Sequence, residues 1–406
     1  MKQITAVVLG AGSRGEIYGS YALAYPEELK IVAVAEPRED RREKFAQAHA
    51  LTAGQCFDSW KSLLRQPKLA NVAIICTLDD EHLEPALQAL ELGYHVLLEK
   101  PMSNREEECV AIEQAARKTG KTLAVCHVLR YTPFYQTIKG LIDSGAVGEL
   151  AAITQIENVA YWHQAHSFVR GNWRNSSQTS PMILQKSCHD MDILLWLAGK
   201  DCKKVSSFGS LRHFTPENAP EGAPKRCLDG CPHADTCLYY APKLYLTGKT
   251  DWPVDVLTTD LTPEGITKAL EEGPYGRCVY HCDNDVVDRQ VVNLELEDGM
   301  VCSFLMSAFT ANSCRQLKVL GTAGHIQADA GKKEIWLHPF GGEPRLIPME
   351  EADSGHGGGD YGLMRDFLRV LREGGESRSS AQKSLQSHLI CFAAEKSRLE
   401  GRIVEL

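Results

Sequence analysis

Lys100 is a candidate functional residue because it is a cationic side chain at the end of a predicted buried strand. It stands in "HVLLEKP", directly after an apolar run typical of a buried strand. Ligands bind at the carboxyl ends of the strands in open α/β sheets. We therefore expect Lys100 to point into a cofactor crevice. A solvent-exposed lysine at a strand end is the alternative.

A second candidate for acid–base chemistry, His189, lies in the segment "QKSCHDMD". Ser187 followed by Asp190, just before the apolar run "MDILLWLAG", has the spacing of an N-cap and a first-turn acid. Because the positive end of the helix dipole disfavours imidazolium, we expect His189 to be neutral, as a general base must be. Asp192 shares the same face three residues later and could orient the ring. An ordinary capping or surface histidine is the alternative.

The stretch "VVLGAGSRG" has the GxGxxG spacing between a strand and a helix, which is the context of a dinucleotide-binding turn. Glu36 ends the next strand, where an acid can accept both ribose hydroxyls. Its charge would repel a 2′-phosphate, so we predict NAD rather than NADP. Arg38 weakens that preference because it could pair with the phosphate. The predicted loop residues at the cofactor are Gly10, Ala11, Gly12, Ser13, Arg14 and Gly15.

The segment "NVAYWHQAHSFVRGNWRNSS" is too polar for a core strand and combines aromatic rings with hydrogen-bond donors. Such a combination suits a sugar ring, and Arg170 could grip a carboxylate. A loop packed at a domain interface is the alternative. The candidate substrate-binding residues here are Tyr161, Trp162, His166, Arg170 and Trp173. The glycine turn "HGGGDYG", residues 356–362, is expected to line the same cleft.

The chain has 14 cysteines, a high number for a reducing compartment, where clustered thiols often bind metals. Five of them form two groups in "CLDGCPHADTC" and "CVYHC" that are candidate ligands for zinc or an iron–sulfur cluster. Their spacing matches neither a zinc ribbon nor a common ferredoxin, so a metal site and free thiols both remain open. The five are Cys227, Cys231, Cys237, Cys278 and Cys282.

The elements that must position these residues follow from the hydrophobic pattern. Short apolar runs alternate with helical segments up to about residue 130, which is typical of a doubly wound parallel sheet. Hairpin patterns follow, the clearest with its turn at Asp298-Gly299. We predict an N-terminal nucleotide-binding domain at 1–127 and a second domain at 128–406, with a Cys-rich insertion around 215–285. The stretch from Tyr361 to Arg398 should be helical, and "EGRIVEL" should contain a short strand.

The net charge and the hydropathy pattern of the chain argue against two classes of binding partner, nucleic acids and membranes. The net charge is −9 and no sustained basic block is present, which argues against nucleic acid. No apolar run reaches the roughly 20 residues that a membrane span needs. The first residues lack the pattern of a signal peptide, so we expect a cytoplasmic protein that acts on a small molecule.

Together these segments resemble the Gfo/Idh/MocA family of NAD(P)-dependent oxidoreductases over nearly the whole chain. The resemblance rests on the glycine turn, on Glu99 and Lys100 of "EKP", on "VAIICTLDDEH", on "HVLRYTPFY" and on the His189 segment. It implies an α/β fold with an N-terminal Rossmann domain and a C-terminal α+β domain whose large open sheet is mostly antiparallel. It also implies a homodimer or homotetramer through that sheet. The further cofactor contacts that it implies come from Cys76, Thr77, His82, Glu99, Lys100 and Arg130.

The resemblance implies hydride transfer between NAD and a secondary alcohol of a sugar, glycoside or cyclitol. Lys100 would hydrogen-bond the reacting hydroxyl and His189 would act as acid and base. Many members carry DxGxH, but Gln185 stands at the aspartate position, where it can only contact substrate. Lys186 joins the catalytic set, either attracting an anionic substrate or lowering the pKa of its neighbours. An NAD-dependent glycosidase and a non-catalytic sugar or nucleotide sensor are the alternatives.

Overall fold

The computed structural model describes residues 3–352 and 355–406, so Met1 and Lys2, at the start of the predicted first domain, lie outside the described residues. A six-stranded, all-parallel sheet forms the N-terminal part, with the order β3-β2-β1-β4-β5-β6. This is the doubly wound order, as predicted. The strands are β1 (Ile4–Leu9), β2 (Leu29–Ala35), β3 (Cys56–Phe57), β4 (Val72–Ile75), β5 (His95–Leu98) and β6 (Leu123–Val125).

Apolar residues on both faces of this sheet are buried by helices, which is why its strands are nearly continuous apolar runs. One face packs on Tyr18 and Phe45, and the other on Leu63 and Ile112. The helices are α1 (Ser13–Ala24), α2 (Glu39–Ala48), α3 (Trp60–Leu64), α4 (Leu83–Glu91) and α5 (Glu106–Thr119).

A nine-stranded sheet forms the second part, in the order β14-β13-β12-β11-β7-β10-β9-β8-β15. Every pair is antiparallel except the central β7–β10 pair, which confirms the predicted mostly antiparallel sheet. Asp298 and Gly299 turn between β9 and β10 with φ of 58° and 77°, as the hairpin pattern predicted. The strands are β7 (Leu150–Ala160), β8 (Cys202–Ser210), β9 (Arg289–Leu296), β10 (Val301–Thr310), β11 (Cys314–Gly321), β12 (Gly324–Asp329), β13 (Glu334–Pro339), β14 (Arg345–Leu346) and β15 (Val404–Glu405).

Helices cover one face of the large sheet and share its apolar core. The predicted helical stretch after Tyr361 is two helices, α12 and α13, which the glycines Gly374 and Gly375 separate. Leu363 and Phe367 of α12 pack into the core of the first sheet. The helices are α6 (Pro133–Asp143), α7 (Tyr161–His163), α8 (Met182–Gln185), α9 (Cys188–Ala198), α10 (Ala241–Tyr245), α11 (Pro263–Glu272), α12 (Gly359–Glu373) and α13 (Ala381–Glu400).

The Cys-rich insertion lies between β8 and β9 and contains only short helices, among them α10 and α11. Two small apolar clusters hold it in place. The one around Tyr245 and Leu270 lies within the insertion, whereas the one around Phe214 and Tyr280 also includes Ala165, Val169 and Ala308 from outside it. The insertion therefore has a local core beside the large sheet.

The other face of the large sheet is open and partly apolar. Phe208, Val301, Leu305 and Phe309 on β8 and β10 are all at least 40% exposed. Exposed apolar faces of this kind are typical of subunit interfaces, but association through the open sheet stays a prediction. Among the residues that the structure describes, no helix is long and apolar enough to cross a membrane.

Candidate active site

The glycine loop between β1 and α1 has room for backbone only. Gly10 has φ of 93°, and a Cβ on it would lie 2.4 Å from the carbonyl oxygen of Cys76. A Cβ on Gly15 would lie 2.0 Å from the carbonyl oxygen of Gly10. No side chain caps α1, which begins after Gly12. The N–H groups of its first turn are therefore left to an external anion such as a pyrophosphate.

Glu36 is buried at the end of β2 and is held by the backbone beside this loop. Its Oε2 accepts the N–H of Ala11 at 2.8 Å and its Oε1 accepts the N–H of Arg38 at 3.0 Å. The Arg38 guanidinium binds Asp40 with both Nε and NH2, at 3.1 and 2.6 Å. Arg38 is thus already paired, whereas the fixed carboxylate of Glu36 retains lone pairs for ribose hydroxyls.

Arg14 and Glu99, two predicted cofactor contacts, bind each other. Arg14 Nε lies 2.7 Å from Glu99 Oε1, and its NH2 lies 2.6 Å from Asp360 Oδ1 of the glycine turn. Burial raises the pKa of Glu99, but the charges of Arg14 and Lys100 outweigh it and lower the pKa below its usual value. This partly buried ion pair ties the nucleotide loop to the carboxyl end of β5. A contact of either side chain with the cofactor stays a prediction.

Lys100 reaches from the end of β5 to the opening of the second domain. Its Nζ donates to the carbonyl oxygen of Gln185 at 2.9 Å and lies 3.5 Å from the Oε1 of the same residue. Gln185 is the last residue of α8 and is buried. The structure therefore brings together the two segments in which the sequence placed the chemistry.

His189 lies in the first turn of α9, 8% exposed, and its Nδ1 has no hydrogen-bond partner among the described residues. Burial, then the charge of Lys100 and then His127, lower its pKa well below the usual value. The lowered pKa favours the neutral ring that we expected, with burial rather than the helix dipole as the largest cause. The predicted cap is wrong, because Ser187 occupies the N-cap position but its hydroxyl makes no capping hydrogen bond.

The predicted contact between Asp192 and His189 is not formed. Both Asp192 oxygens accept from Arg130, through Nε and NH2 at 2.7 Å each. Arg130 also donates to the carbonyl oxygen of Arg378 at 2.7 Å and is 4% exposed. Its predicted role at the cofactor is therefore corrected, since the guanidinium is used inside the protein, where a buried carboxylate needs a partner.

His127 is a site residue that the sequence analysis did not single out. It is fully buried, its Nε2 lies 3.8 Å from Asp192 Oδ1, and its ring centroid lies 5.7 Å from that of His189. Burial, followed by the charges of Arg130 and Lys100, lowers its pKa well below the usual value. The sequence signal that could have identified His127 is its position just after the buried strand β6, because ligands bind at the carboxyl ends of such strands.

Lys186 forms an ion pair with a buried acid of the large sheet. Its Nζ lies 3.0 Å from Glu157 Oε1, and the Nε of Arg315 lies 2.8 Å from the other oxygen of the same carboxylate. Arg315 also pairs with Asp190 at 2.7 Å. Burial is the largest cause of the lowered pKa of His163, and Lys186 is the next. This agrees with the second predicted role of Lys186, that of lowering the pKa of its neighbours.

Aromatic rings from two segments surround the same region. The ring of Trp162 lies 5.8 Å from that of His163 and 5.5 Å from that of Trp252. Trp252 comes from the insertion and was not predicted. His166 is buried, stacked at 4.7 Å on Tyr275, so its ring faces protein. Tyr161 lies edge-on to Tyr239 at 5.9 Å.

Two predicted substrate residues contact protein groups instead. Arg170 is fully buried in the insertion, where its Nε donates to the carbonyl oxygen of Arg277 at 2.7 Å. The predicted role of Arg170 in substrate binding is therefore wrong, because the π-helical turn Gln164–Arg170 buries its side chain inside the protein. Trp173 donates through Nε1 to Asp79 at 3.4 Å, which matches the interface alternative.

The predicted residues after β4 form the wall behind the glycine loop. His82 Nδ1 lies 2.8 Å from the carbonyl oxygen of Pro101, and its Nε2 lies 3.2 Å from that of Thr77. Cys76 contributes the carbonyl that Gly10 approaches. Contacts of these residues with the cofactor stay predictions.

Family models match both parts of the chain. Residues 4–127 match GFO_IDH_MocA, the oxidoreductase family with an NAD-binding Rossmann fold, and residues 139–406 match its C-terminal alpha/beta domain. The chain is 23% identical to YteT of Bacillus subtilis (strain 168) over 326 residues, which are 77% of this chain and 74% of YteT. It is 27% identical to the 2,7-anhydro-N-acetylneuraminate hydratase of Escherichia coli (strain K12) over 164 residues, which are 40% of this chain and 43% of the hydratase.

The fold is also similar to that of levoglucosan dehydrogenase, solved in complex with NADH and L-sorbose. The TM-score is 0.75 at 19% identity, and the match covers 100% of this chain and 99% of that one. At this identity the likeness concerns the fold. Because both family models match, the chain belongs to the Gfo/Idh/MocA oxidoreductase family. Residues 4–127, which contain the first sheet, form the NAD-binding Rossmann domain of that family.

Proposed function

We propose that the protein transfers a hydride between NAD and a secondary alcohol of a sugar, glycoside or cyclitol. The observation that carries the proposal is the position of Lys100, whose Nζ is held 2.9 Å from the Gln185 carbonyl oxygen at the end of β5. Close to it lies His189, a buried and neutral imidazole. A cation and a neutral base at the mouth of the nucleotide crevice are the groups that alcohol oxidation requires.

Each side chain has a separate task in this proposal. Bound NAD supplies the hydride acceptor or donor. Lys100 donates a hydrogen bond to the reacting hydroxyl and stabilises the alkoxide as its proton leaves. His189 Nδ1, which has no partner among the described residues, accepts that proton. In the reducing direction the same two groups return a proton to the oxygen.

The aromatic surface supports a carbohydrate as the substrate. The ring centroids of Trp162 and Trp252 lie 5.5 Å apart with their planes tilted by 57°, and the ring of His163 lies 5.0 Å from that of Trp252. Flat apolar faces beside polar groups suit the C–H faces of a sugar ring. Lys186 is balanced by Glu157, which favours a neutral sugar over an anionic one.

A second candidate keeps the cofactor but leaves its redox state unchanged overall. Transient oxidation of a glycoside by bound NAD would acidify the neighbouring C–H bond and permit elimination of the aglycone. Water would then add to the resulting enone, and reduction of the ketone would regenerate NAD. Gln185 in place of the aspartate favours this candidate, because the usual carboxylate is missing beside the reacting hydroxyl. The E. coli relative that is named a hydratase supports it as well.

The two candidates differ in the products that they release. The protein is incubated with NAD and a panel of free sugars, cyclitols, anhydro-sugars and aryl glycosides, and absorbance at the NADH band and aglycone release are followed together. NADH formed in step with a ketone product supports the dehydrogenase. Aglycone release without net NADH supports elimination.

Matched lysine variants locate the chemistry. Lys100→Met should lower kcat/KM by about 10²–10⁴-fold, while the Kd of NADH changes little. Lys118→Met, on the exposed surface of α5, should behave like the unmodified protein. The proposal is wrong if no substrate of the panel yields NADH or a free aglycone. It is also wrong if Lys100→Met and Lys118→Met have the same kcat/KM.

A further inference from the structure

The insertion contains a small cavity that a buried arginine lines. The cavity has a volume of about 20 Å³, which is room for one or two particles of the size of a water molecule. Its lining is mainly apolar and aromatic, and none of the described residues in it is an aspartate or a glutamate. Arg170 belongs to the lining together with four of the five candidate cysteines, namely Cys227, Cys231, Cys237 and Cys278.

The cysteines of the lining favour the free-thiol alternative over a metal site. Within residues 3–352 and 355–406, no group of three His, Cys, Asp or Glu side chains is arranged to hold a metal ion. All four cysteines are free thiols. Burial raises the pKa of Cys278 to about 11 and raises that of Cys237 as well. These two thiols are therefore neutral and supply no negative charge to the cavity.

Arg170 brings a positive charge into this cavity. It is fully buried, and its NH2 donates to the carbonyl oxygen of Tyr239 at 2.6 Å and lies 3.6 Å from the Sγ of Cys227, both residues of the lining. Its Nε donates to the carbonyl oxygen of Arg277 at 2.7 Å. Its NH1 is buried and has no hydrogen-bond partner among the described residues. The guanidinium is thus held by neutral groups, and one of its nitrogens is left without an acceptor.

No ion pair in the described part of the chain includes Arg170. Asp283, an acid of the same region, pairs with Arg174 at 2.7 Å and with Arg277 at 2.8 Å instead. Burial raises the pKa of Tyr245, whose hydroxyl lies near the guanidinium, so this phenol is neutral. A buried cation without a counter-charge is costly. The site is therefore suited to an anion from solution.

We infer that this cavity binds a chloride ion, with the Arg170 guanidinium as its main ligand. A chloride ion is only slightly larger than a water molecule and fits the volume, whereas polyatomic anions such as sulfate, phosphate or a nucleotide do not. The thiols of the lining can donate S–H hydrogen bonds to the ion. Cys231 and His233 of the lining are partly exposed, which leaves a route from solvent.

The bound ion should stabilise the insertion, because the guanidinium that it neutralises links the insertion to the segment after β7. Arg170 ends the π-helical turn Gln164–Arg170. Its partners Cys227, Tyr239 and Arg277 lie between β8 and β9. A ligand that binds only the folded state raises the stability of that state. The stability of the insertion should therefore depend on chloride.

Thermal unfolding of the full chain tests this dependence, followed by tryptophan fluorescence because Trp252 lies in the insertion. The protein is dialysed into a chloride-free buffer, and sodium chloride or sodium gluconate is added at equal ionic strength, since gluconate is too large for the cavity. The midpoint should rise by about 2–4 °C at about 100 mM chloride and then level off. Sodium bromide should act in the same way. Equal midpoints in chloride and gluconate would overturn the assignment.

Two arginine variants show whether the effect comes from this cavity. Arg170→Met replaces the guanidinium by an uncharged side chain and should abolish the rise with chloride. Arg212→Gln, at an exposed position of the insertion, should keep the rise. Far-ultraviolet circular dichroism and NADH binding show whether each variant remains folded. The same response to chloride in both folded variants would contradict the assignment.

Bromide provides a direct test that needs no variant. Crystals of the unmodified protein are grown with sodium bromide in place of chloride, and anomalous scattering is measured at the bromine edge. We expect a peak in the cavity beside the guanidinium of Arg170. A cavity without such a peak, in crystals that diffract well enough to show the side chain, would rule out the halide site.

Discussion

Arg130 Nε and NH2 lie 2.7 Å from the two oxygens of Asp192, in a buried ion pair that joins the segment just after β6 to α9. Only 4% of Arg130 and 1% of Asp192 are exposed. Removing one partner of such a pair leaves a buried charge without compensation. The pair therefore holds α9, and with it His189, against the segment that follows β6.

Asp192→Asn should lower the free energy of unfolding by about 3–5 kcal/mol, because Arg130 keeps its charge in a buried site. Urea unfolding followed by circular dichroism measures the change. Glu400→Gln, which removes the acid of the exposed pair with Arg402, is the matched control and should leave the midpoint nearly unchanged. Similar midpoints for the two variants would show that the buried pair does not stabilise the fold.

Glu36 should decide between NAD and NADP. Glu36→Gln removes the charge that repels a 2′-phosphate and weakens the hydrogen bonds to the ribose, so the Kd of NADH should rise about 10-fold to 100-fold. The Kd of NADPH should rise less, or fall. Fluorescence titration with both nucleotides measures this, with the exposed residue changed in Glu39→Gln as control. An equal loss of affinity for both would contradict a ribose contact.

Much of the first domain could be predicted because its determinants are local. Each strand from β1 to β6, apart from the two-residue β3, is a short and mostly apolar run, and the glycines of the loop, Gly10, Gly12 and Gly15, lie close together in the chain. In "VVLGAGSRG" the glycines that permit the tight turn and the backbone that forms it lie in the same nine residues. The same holds for Asp298-Gly299, whose turn is fixed by the two residues themselves.

The partners of individual side chains could not be predicted in this way. Asp192 has its ion-pair partner 62 positions away, and Arg170 donates to a carbonyl oxygen 107 positions away. No periodicity within the chain carries that information. Trp252 joins the aromatic surface only through a contact between the insertion and the segment after β7, where its ring lies 5.5 Å from that of Trp162. Helical spacing predicted that Asp192 contacts His189. Asp192 instead pairs with Arg130, because a buried guanidinium needs a carboxylate partner.

Trp252 should contribute to substrate affinity more than to turnover. Trp252→Ala removes one indole from the aromatic surface, so KM should rise about threefold to tenfold, while kcat changes less than about twofold. Initial rates with the best substrate of the panel measure both constants. Leu238→Ala, at an exposed position of the same insertion, should change neither. A fall in kcat at constant KM would place Trp252 outside the substrate surface.

His388 should make stability depend on pH. It is fully buried on α13, where its Nε2 accepts the N–H of Met102 at 2.8 Å. Burial, followed by the charge of His127, lowers its pKa to about 3, whereas the unfolded chain has a value near 6.5. Between these two values the unfolded chain binds one proton more. Each unit of acidification should therefore lower the free energy of unfolding by about 1.4 kcal/mol through this residue.

His388→Gln isolates that contribution, because glutamine can accept from Met102 but does not titrate. Urea unfolding at pH 7.5, 6.0, 5.0 and 4.5 should show a lower stability of the variant at pH 7.5 and a shallower decline below pH 6.5. Between pH 6 and pH 4.5 the slopes of unfolding free energy against pH should differ by about 1.4 kcal/mol per pH unit, which corresponds to one proton. The other titrating groups are common to both proteins and cancel. Parallel curves would mean that His388 is protonated in the folded state, which would require a counter-charge within the buried cluster with His127.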